Sequence, residues 1–258
     1  CICYTVFMSS DRDSIKVDLH VHSDASHDCN EPIDLILEHA QDIDLDAIAI
    51  TDHNKIENSV EAAEKAEEYG LIGIPGAEVS TDDGHLLALG VEELPEPGQP
   101  FMETVEKIRS MGGVAIVPHP FQRTRHGVRK SKIKDIDAVE VYNSWVFTGW
   151  RNRKARQFAD ENEYPEVASS DAHSIGMIGK AYTEINTAFA EENEFTADEV
   201  LEAIESGSNY MYGRRKPILL STWDYGKAAL KKSAWLMKET LFLPLTLEKK
   251  IFGAASRE

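Results

Sequence analysis

Seven of the nine histidines in this 258-residue chain stand at or just beyond the end of a predicted β-strand. His20 and His22 share the segment DLHVH, and the carboxylates of Glu78 and Asp171 hold similar positions further along. Imidazole combined with one or two carboxylates suits Zn²⁺, Mn²⁺ or Fe²⁺, whereas Mg²⁺ and Ca²⁺ prefer oxygen ligands. The candidate metal ligands are His20, His22, His27, His53, Glu78, His85, His119, Asp171 and His173.

Nine candidate ligands exceed the needs of one tetrahedral site, so they predict two or three divalent metal ions. Glu78 is the natural bridge between metals because a carboxylate has two oxygens and an imidazole offers one ligand atom. Clustered metals hold a bridging hydroxide and neutralise charge on a phosphoryl group during in-line displacement. Such a cluster is suited to phosphoryl chemistry, and the candidate catalytic residues are Glu78, Asp171 and His173.

The elements that must position these side chains alternate between strand and helix from residue 15 to about 212, which favours parallel strands. In a parallel α/β barrel the carboxyl ends of the strands meet at one face, where active sites are built. About seven such units favour a barrel, although their spacing leaves an open sheet possible. The predicted strands are 15–19, 46–50, 71–79, 85–91, 114–117, 138–142, 166–169 and about 182–187; a capping box predicts a helix from Thr196.

The composition restricts the class of protein further. A net charge of −18 disfavours a general nucleic-acid binder, although residues 214–258 carry an excess of six positive charges. Three cysteines, Cys1, Cys3 and Cys29, are too few for a disulfide framework and indicate a reducing compartment. No apolar run is long enough to span a bilayer, and we recognise no signal peptide. We therefore expect a cytoplasmic protein.

A basic segment at 121–134 follows His119 directly and contains no acidic residue. Because it leaves the same predicted strand end as the histidine, its guanidinium groups could grip a substrate phosphate. Arg123 and Arg125 are the candidates for substrate binding, together with Asn143 after the 138–142 strand. The alternative is a solvated surface run with no such role.

The sequence divides into an N-terminal extension (1–14), a main domain (15–212) and a basic amphipathic tail (213–258). The tail could lie on an anionic membrane surface, or it could pack its apolar stripe against the domain, which we favour. That stripe consists of Trp223, Leu230, Ala234, Met237 and Leu241.

Six motifs in combination resemble those of the PHP (polymerase and histidinol phosphatase) metal-dependent phosphoesterases, over roughly residues 15–187. They are HVH at 20–22, TDHN at 51–54, GAEVS at 76–80, GHLLALG at 84–90, PHP at 118–120 and SDAH at 170–173. The resemblance implies a distorted, TIM-like (βα)7 barrel, here with a helical C-terminal extension, and a trinuclear metal site.

The resemblance also implies how the ligands are shared among three metals. One metal takes His20, His22, Glu78 and Asp171, a second takes Glu78, His85 and His119, and a third takes His27, His53 and His173. The sequence departs from the family at one position, because His27 stands where many members carry aspartate.

We therefore predict a phosphatase that acts on a small phosphomonoester, such as a nucleotide or a histidinol-phosphate-like compound. A phosphodiesterase trimming short nucleic acids is the alternative, although the acidic body disfavours long polyanions. An amidohydrolase also uses HxH in a barrel, but the GHLLALG, PHP and DAH motifs fit it less well. A non-catalytic adaptor that works through the basic tail is the remaining hypothesis.

Overall fold

A computed structural model describes residues 6–7, 14–122, 126–145, 149–186, 194–207 and 209–213. Twelve strands lie in these ranges: β1 (Val6–Phe7), β2 (Ser14–Val21), β3 (Ala47–Ile50), β4 (Ile72–Ile74), β5 (Gly76–Ser80), β6 (His85–Leu89), β7 (Val114–Val117), β8 (Ala138–Asn143), β9 (Glu166–Ser169), β10 (Ala181–Asn186), β11 (Glu194–Phe195) and β12 (Asn209–Gly213). Five α-helices accompany them: α1 (Ile33–Asp42), α2 (Glu57–Lys65), α3 (Phe101–Ser110), α4 (Trp150–Asn162) and α5 (Ala197–Glu205).

The strands of the main domain form two five-stranded sheets, in the orders β12-β10-β2-β3-β4 and β5-β6-β7-β8-β9. Single bridges between Val21 and Ala172, and between His53 and Glu78, link the two sheets. The predicted α/β class is confirmed. The described strands do not close into one continuous barrel, so the seven-unit barrel itself stays a prediction.

Pairing within the sheets is mixed, whereas the alternation of strands and helices favoured parallel pairing, with a turn at 81–84 between two of the predicted strands. β6 is antiparallel to β5 because the turn at 81–84 joins the two strands as a hairpin, and β6 is also antiparallel to β7. β10 is antiparallel to β2, since no α-helix separates it from β9 to carry a crossover. The remaining pairs near the predicted site, including β2–β3 and β8–β9, are parallel.

The single strand predicted at 71–79 is wrong, because the chain changes sheets at Pro75. β4 pairs with β3 in one sheet, and β5 pairs with β6 in the other. Proline has no N–H to donate to a ladder, which suits it to such a break. The next residue, Gly76, donates its N–H to Ser59 Oγ at 2.7 Å, so α2 secures the start of β5.

The helices pack their apolar faces as the sequence predicts. In α1, Ile36, Leu37 and Ala40 are buried, and α5 begins with the predicted capping box between Thr196 and Glu199. Among the described residues, no helix combines the length and the apolar character needed to cross a bilayer. Apart from Gly213, the predicted tail lies outside the described residues, as does most of the N-terminal extension.

Candidate metal centre

The carboxylate of Glu78 lies at the centre of the predicted site and is almost completely buried. Its Oε1 is 2.7 Å from His85 Nδ1 and 2.9 Å from His119 Nε2, and its Oε2 is 2.7 Å from His53 Nδ1. Burial alone would raise the pKa of Glu78, but His85 and His20 hold it well below its usual range. Both oxygens thus face imidazoles from different strands, as a bridging ligand requires.

A second group forms where β2 and β9 end side by side. His20 Nε2 and His22 Nε2 are 3.1 Å apart, and Asp171 Oδ1 lies 3.6 and 3.5 Å from them. Burial and the neighbouring His173 lower the pKa of His22 to about 3. Burial would also lower the pKa of His20, but Asp171 and Glu78 raise it well above its usual range. The carboxylates therefore favour a positive charge at His20, which a proton or a bound metal ion would supply.

A third group includes a carboxylate that the sequence interpretation missed. Asp28 Oδ2 is 3.1 Å from His173 Nε2, and Asp28 Oδ1 is 3.5 Å from His53 Nε2. His27 is exposed, and its ring centroid lies 5.2 Å from that of His53. Asp28 thus contacts two of the three residues assigned to the third metal. The sequence did indicate this ligand, because Asp28 directly follows His27, the position at which the chain departs from the family pattern.

Several of these donor atoms approach one another without forming hydrogen bonds. Glu78 Oε2 and His173 Nε2 are buried and have no hydrogen-bond partner, although His53 and Asp28 lie within 3.1 Å of them. The buried Nδ1 of His119 also has no partner. Buried polar atoms normally form hydrogen bonds, and ligands of a shared ion are an exception. The donor set of nitrogens and carboxylate oxygens therefore fits divalent transition metals.

The donor atoms form five overlapping triads, in each of which all three atoms lie within 4.8 Å of one another. These triads are His22–His53–His173, His20–His22–Glu78, His20–His119–Asp171, His27–Asp28–His53 and His53–Glu78–His85. All nine predicted ligands occur among them, and Asp28 is the addition.

Residues outside the cluster fix the outer nitrogens of its histidines. His20 Nδ1 is 3.1 Å from Glu140 Oε1, and His22 Nδ1 is 3.1 Å from Ser26 Oγ, which donates to Asp52. Such partners fix the ring orientation and the tautomer of a metal-binding histidine. None of these three partners was predicted from the sequence.

Asn143 was predicted to bind substrate, but it is completely buried beneath the cluster. Its Nδ2 donates to Asp171 Oδ2 at 3.0 Å and to Glu140 Oε2 at 2.8 Å. This placement positions Asp171, and a direct contact between Asn143 and substrate stays a prediction. Arg123 and Arg125 lie outside the described residues.

Backbone strain is concentrated at the strand ends of the site. His119, Asp171 and Asn54 have φ angles of 29°, 52° and 51°, in the left-handed region that residues other than glycine rarely adopt. Each such residue costs about 1–3 kcal/mol and persists only where its surroundings hold it. The N–H of His119 is held by Glu140 Oε2 at 2.7 Å.

A cavity of about 680 Å³ opens over one side of the cluster. The ring of His126 stacks on that of His85 at this wall, with centroids 5.0 Å apart and planes 18° apart. Arg129 is exposed to the cavity and forms no ion pair with a carboxylate of the described residues. The lining consists of His27, Asp28, His53, Asn54, Ser80, Thr81, Asp82, Asp83, Gly84, His85, His119, His126, Gly127 and Arg129.

Comparison with known proteins supports the resemblance seen in the motifs. A family model described as PHP-associated matches residues 149–209. The chain is also 33% identical to the uncharacterized protein MJ1587 of Methanocaldococcus jannaschii over 152 residues, which are 55% of this chain and 89% of that protein. This chain belongs to the PHP superfamily. A second protein of the same organism, MJ0417, is 26% identical over 84% of this chain and 92% of its own length.

Solved structures share the fold of this PHP protein at low sequence identity. A two-domain protein from Bacteroides vulgatus, described as containing a predicted PHP-like metal-dependent phosphoesterase, has a TM-score of 0.63. It is 18% identical, and the match covers 85% of this chain and 73% of that one. PsfC from Pseudomonas syringae has a TM-score of 0.64 at 15% identity, over 84% of this chain and all of PsfC.

Proposed function

We propose that this PHP protein is a metal-dependent phosphoesterase that acts on small phosphomonoesters, with nucleotides and histidinol-phosphate-like compounds as the candidate substrates. The observation that carries the proposal is Glu78, whose two buried oxygens lie within 2.9 Å of three imidazole nitrogens from different strands. The cluster borders an open cavity, so a substrate can reach it.

The chain's own donors would hold two or three divalent ions of zinc, manganese or iron. We assign His20, His22, Glu78 and Asp171 to one ion, Glu78, His85 and His119 to a second, and Asp28, His27, His53 and His173 to a third. Divalent ions bound there would lower the pKa of water and neutralise charge on the phosphoryl oxygens. The catalytic roles of Glu78, Asp171 and His173 would be to hold these divalent ions and to orient them toward the phosphoryl group.

Substrate binding is proposed for the basic segment that borders the cavity. Arg129 presents an exposed guanidinium group there that forms no ion pair with a carboxylate of the described residues, although Asp28, Asp82 and Asp83 line the same cavity. Guanidinium groups bind phosphate through charge-assisted and often bidentate hydrogen bonds. Arg123 and Arg125 precede Arg129 in the same segment, and we propose that they contribute to the same contact. The cavity's volume lies in the range of small-molecule sites, which favours a compact substrate over a polymer.

Two further assignments accompany this function. We propose that the two sheets, bridged at Val21–Ala172 and at His53–Glu78, correspond to the distorted (βα)7 barrel that the family resemblance implies. We also propose a cytoplasmic location, which rests on the low cysteine count of the sequence.

The decisive experiment is a hydrolysis screen of the full chain after reconstitution with zinc, manganese or iron(II). The panel includes phosphomonoesters, nucleotides, short oligonucleotides and an amide substrate, each with and without a chelator. Chelator-sensitive release of phosphate from monoesters supports the proposal. Faster cleavage of oligonucleotides would replace it with a phosphodiesterase, and the absence of any hydrolysis by metal-loaded protein would favour the non-catalytic adaptor.

A further inference from the structure

We propose that Glu140 is a positioning residue that fixes the tautomer of His20 and braces three ligand-bearing segments at once. The inference rests on the proposed metal function. Glu140 lies in β8, is 1% exposed, and is not part of any of the donor triads. Metal binding alone therefore does not explain why this buried carboxylate lies in the site.

Glu140 contacts residues at the ends of three strands. Oε1 lies 3.1 Å from His20 Nδ1, at the end of β2. Oε2 accepts from the backbone N–H of His119, after β7, at 2.7 Å, and from Asn143 Nδ2 at 2.8 Å. The same Asn143 nitrogen donates to Asp171, after β9. Glu140 thus connects His20 directly with His119, 99 residues later, and reaches Asp171, a further 52 residues on, through Asn143.

The same carboxylate determines which nitrogen of the His20 ring carries the proton. Glu140 accepts hydrogen bonds at Oε2 from two donors, and a carboxylate oxygen facing Nδ1 favours a proton there as well. With the proton on Nδ1, the lone pair of Nε2 points at Glu78 and Asp171, which lie 3.6 Å away. The opposite tautomer would place N–H at the cluster and remove His20 as a ligand.

The histidines of the cluster differ in the partners of their outer nitrogens. The outer nitrogen of His22 meets an uncharged acceptor, the hydroxyl of Ser26. That of His173 lies 2.9 Å from the backbone carbonyl of Asp171, with the Asp171 carboxylate further away at 3.4 Å. A carboxylate partner raises the basicity of a ligating imidazole more than an uncharged acceptor does. We therefore expect His20 to be the strongest imidazole donor of the buried cluster, and Glu140 to be the cause.

The chain offers a matched control at the opposite end of the same two strands. Asp137, just before β8, accepts from the backbone N–H of Ala115 in β7 at 2.7 Å, as Glu140 accepts from His119. Asp137 also pairs with Arg109 and touches none of the candidate ligands. Asp137→Asn therefore weakens a β7–β8 brace without reaching the His20 ring.

The test compares Glu140→Gln, Glu140→Asp and Asp137→Asn with the wild-type full chain loaded with zinc. Zinc affinity is measured by competition with a chelating dye, and the ring protonation of His20 by long-range ¹H–¹⁵N spectra of ¹⁵N-histidine-labelled protein. We expect Glu140→Gln to lower zinc affinity about 10- to 100-fold and to shift the His20 ring resonances. Glu140→Asp should retain the Nδ1–H signal and recover part of the affinity, and Asp137→Asn should match the wild type in both.

The outcomes separate this inference from the proposed function. Wild-type affinity and an unchanged His20 spectrum in Glu140→Gln would overturn the role of Glu140 while leaving metal binding intact. Equal losses in Glu140→Gln and Asp137→Asn would overturn it too, since both would then reflect general destabilisation. If Glu140→Gln does not fold, Glu140→Asp decides, because loss of its Nδ1–H signal also contradicts the proposal. A wild-type chain that binds no metal would overturn the proposed function itself.

Discussion

The two sides of the candidate metal centre are built differently. The braced side consists of His20, His22 and Asp171, which are buried and are held by Glu140, Ser26 and Asn143. The cavity side consists of His53, His85, His126 and Arg129, which line the open cavity. We propose that the braced side fixes the arrangement of its ligands, while the cavity side combines metal ligands with side chains that are open to the substrate.

The two sides differ most in the exposure and the hydrogen-bond partners of their histidine rings. On the braced side, His20 and His22 are at most 1% exposed and each has an outer hydrogen-bond partner. On the cavity side, the His53 side chain is 14% exposed, and its two ring nitrogens lie near the cluster carboxylates Glu78 and Asp28. Burial alone would lower the pKa of His53, but Asp28 and Glu78 raise it to about 10.

The largest effect is expected where the two sides meet, at Glu78. Glu78→Ala removes a carboxylate that contacts histidines of both sides, so metal binding and phosphate-ester hydrolysis should both fail. We expect a loss of at least about 10³-fold in kcat/KM. His39→Ala, on helix α1 away from the cluster, is the control and should stay within a few-fold of the wild type. Equal effects of the two variants would show that the site lies elsewhere.

A smaller effect should distinguish Asp28 from its neighbour His27. Asp28→Ala removes contacts to both His53 and His173, whereas His27→Ala removes an exposed ring. We expect Asp28→Ala to lower the metal content per chain, measured by element analysis, and His27→Ala to retain most of it. The reverse result would restore His27 as the main ligand of the third metal.

Among substitutions in the basic segment, we expect only those that line the cavity to weaken substrate binding. Arg129→Ala should leave metal content unchanged and lower kcat/KM for phosphomonoesters by about 10- to 100-fold, from the ~1.5–3 kcal/mol of a hydrogen bond to a charged group. Lys134→Ala removes an exposed cation of the same segment that does not line the cavity. If the two variants behave alike, the segment acts only through its overall charge.

The smallest effect is expected for His126→Ala. Its ring stacks on His85 at the cavity wall but belongs to none of the donor triads. We expect an increase of a few-fold in KM with kcat and metal content unchanged, because a stacking contact is worth only about 0.5–1.5 kcal/mol. A loss of metal in this variant would move His126 from the cavity wall into the metal centre.

The sequence predicted the features that depend on local patterns. Histidines at strand ends, the amphipathic face of α1 and the capping box at Thr196 each follow from the spacing of a few neighbouring residues. The choice between His27 and Asp28 could not be made this way. Both lie in an irregular loop after β2, where no periodicity tells which side chain turns inward.

Glu140 escaped prediction for a different reason. In AVEVYN it stands among apolar residues with period two, which is also the pattern of a solvent-facing position on a half-exposed strand. Its burial follows from β8 lying between β7 and β9, and from the His119 and Asn143 donors that meet it. These are tertiary contacts, which a single strand pattern does not encode.

The antiparallel pairing of β10 with β2 has a consequence for how the protein is made. β2, which carries His20, pairs with β10, residues 181–186. Asp18, also in β2, accepts a hydrogen bond from the backbone N–H of Ser170, 152 residues later. Contacts of such long range form late and slow the overall folding rate. On the ribosome, the metal-binding pocket cannot be completed until about residue 186 has emerged. Metal loading is therefore expected to follow synthesis of the domain, and a chain that ends before β10 should be unable to retain its ions.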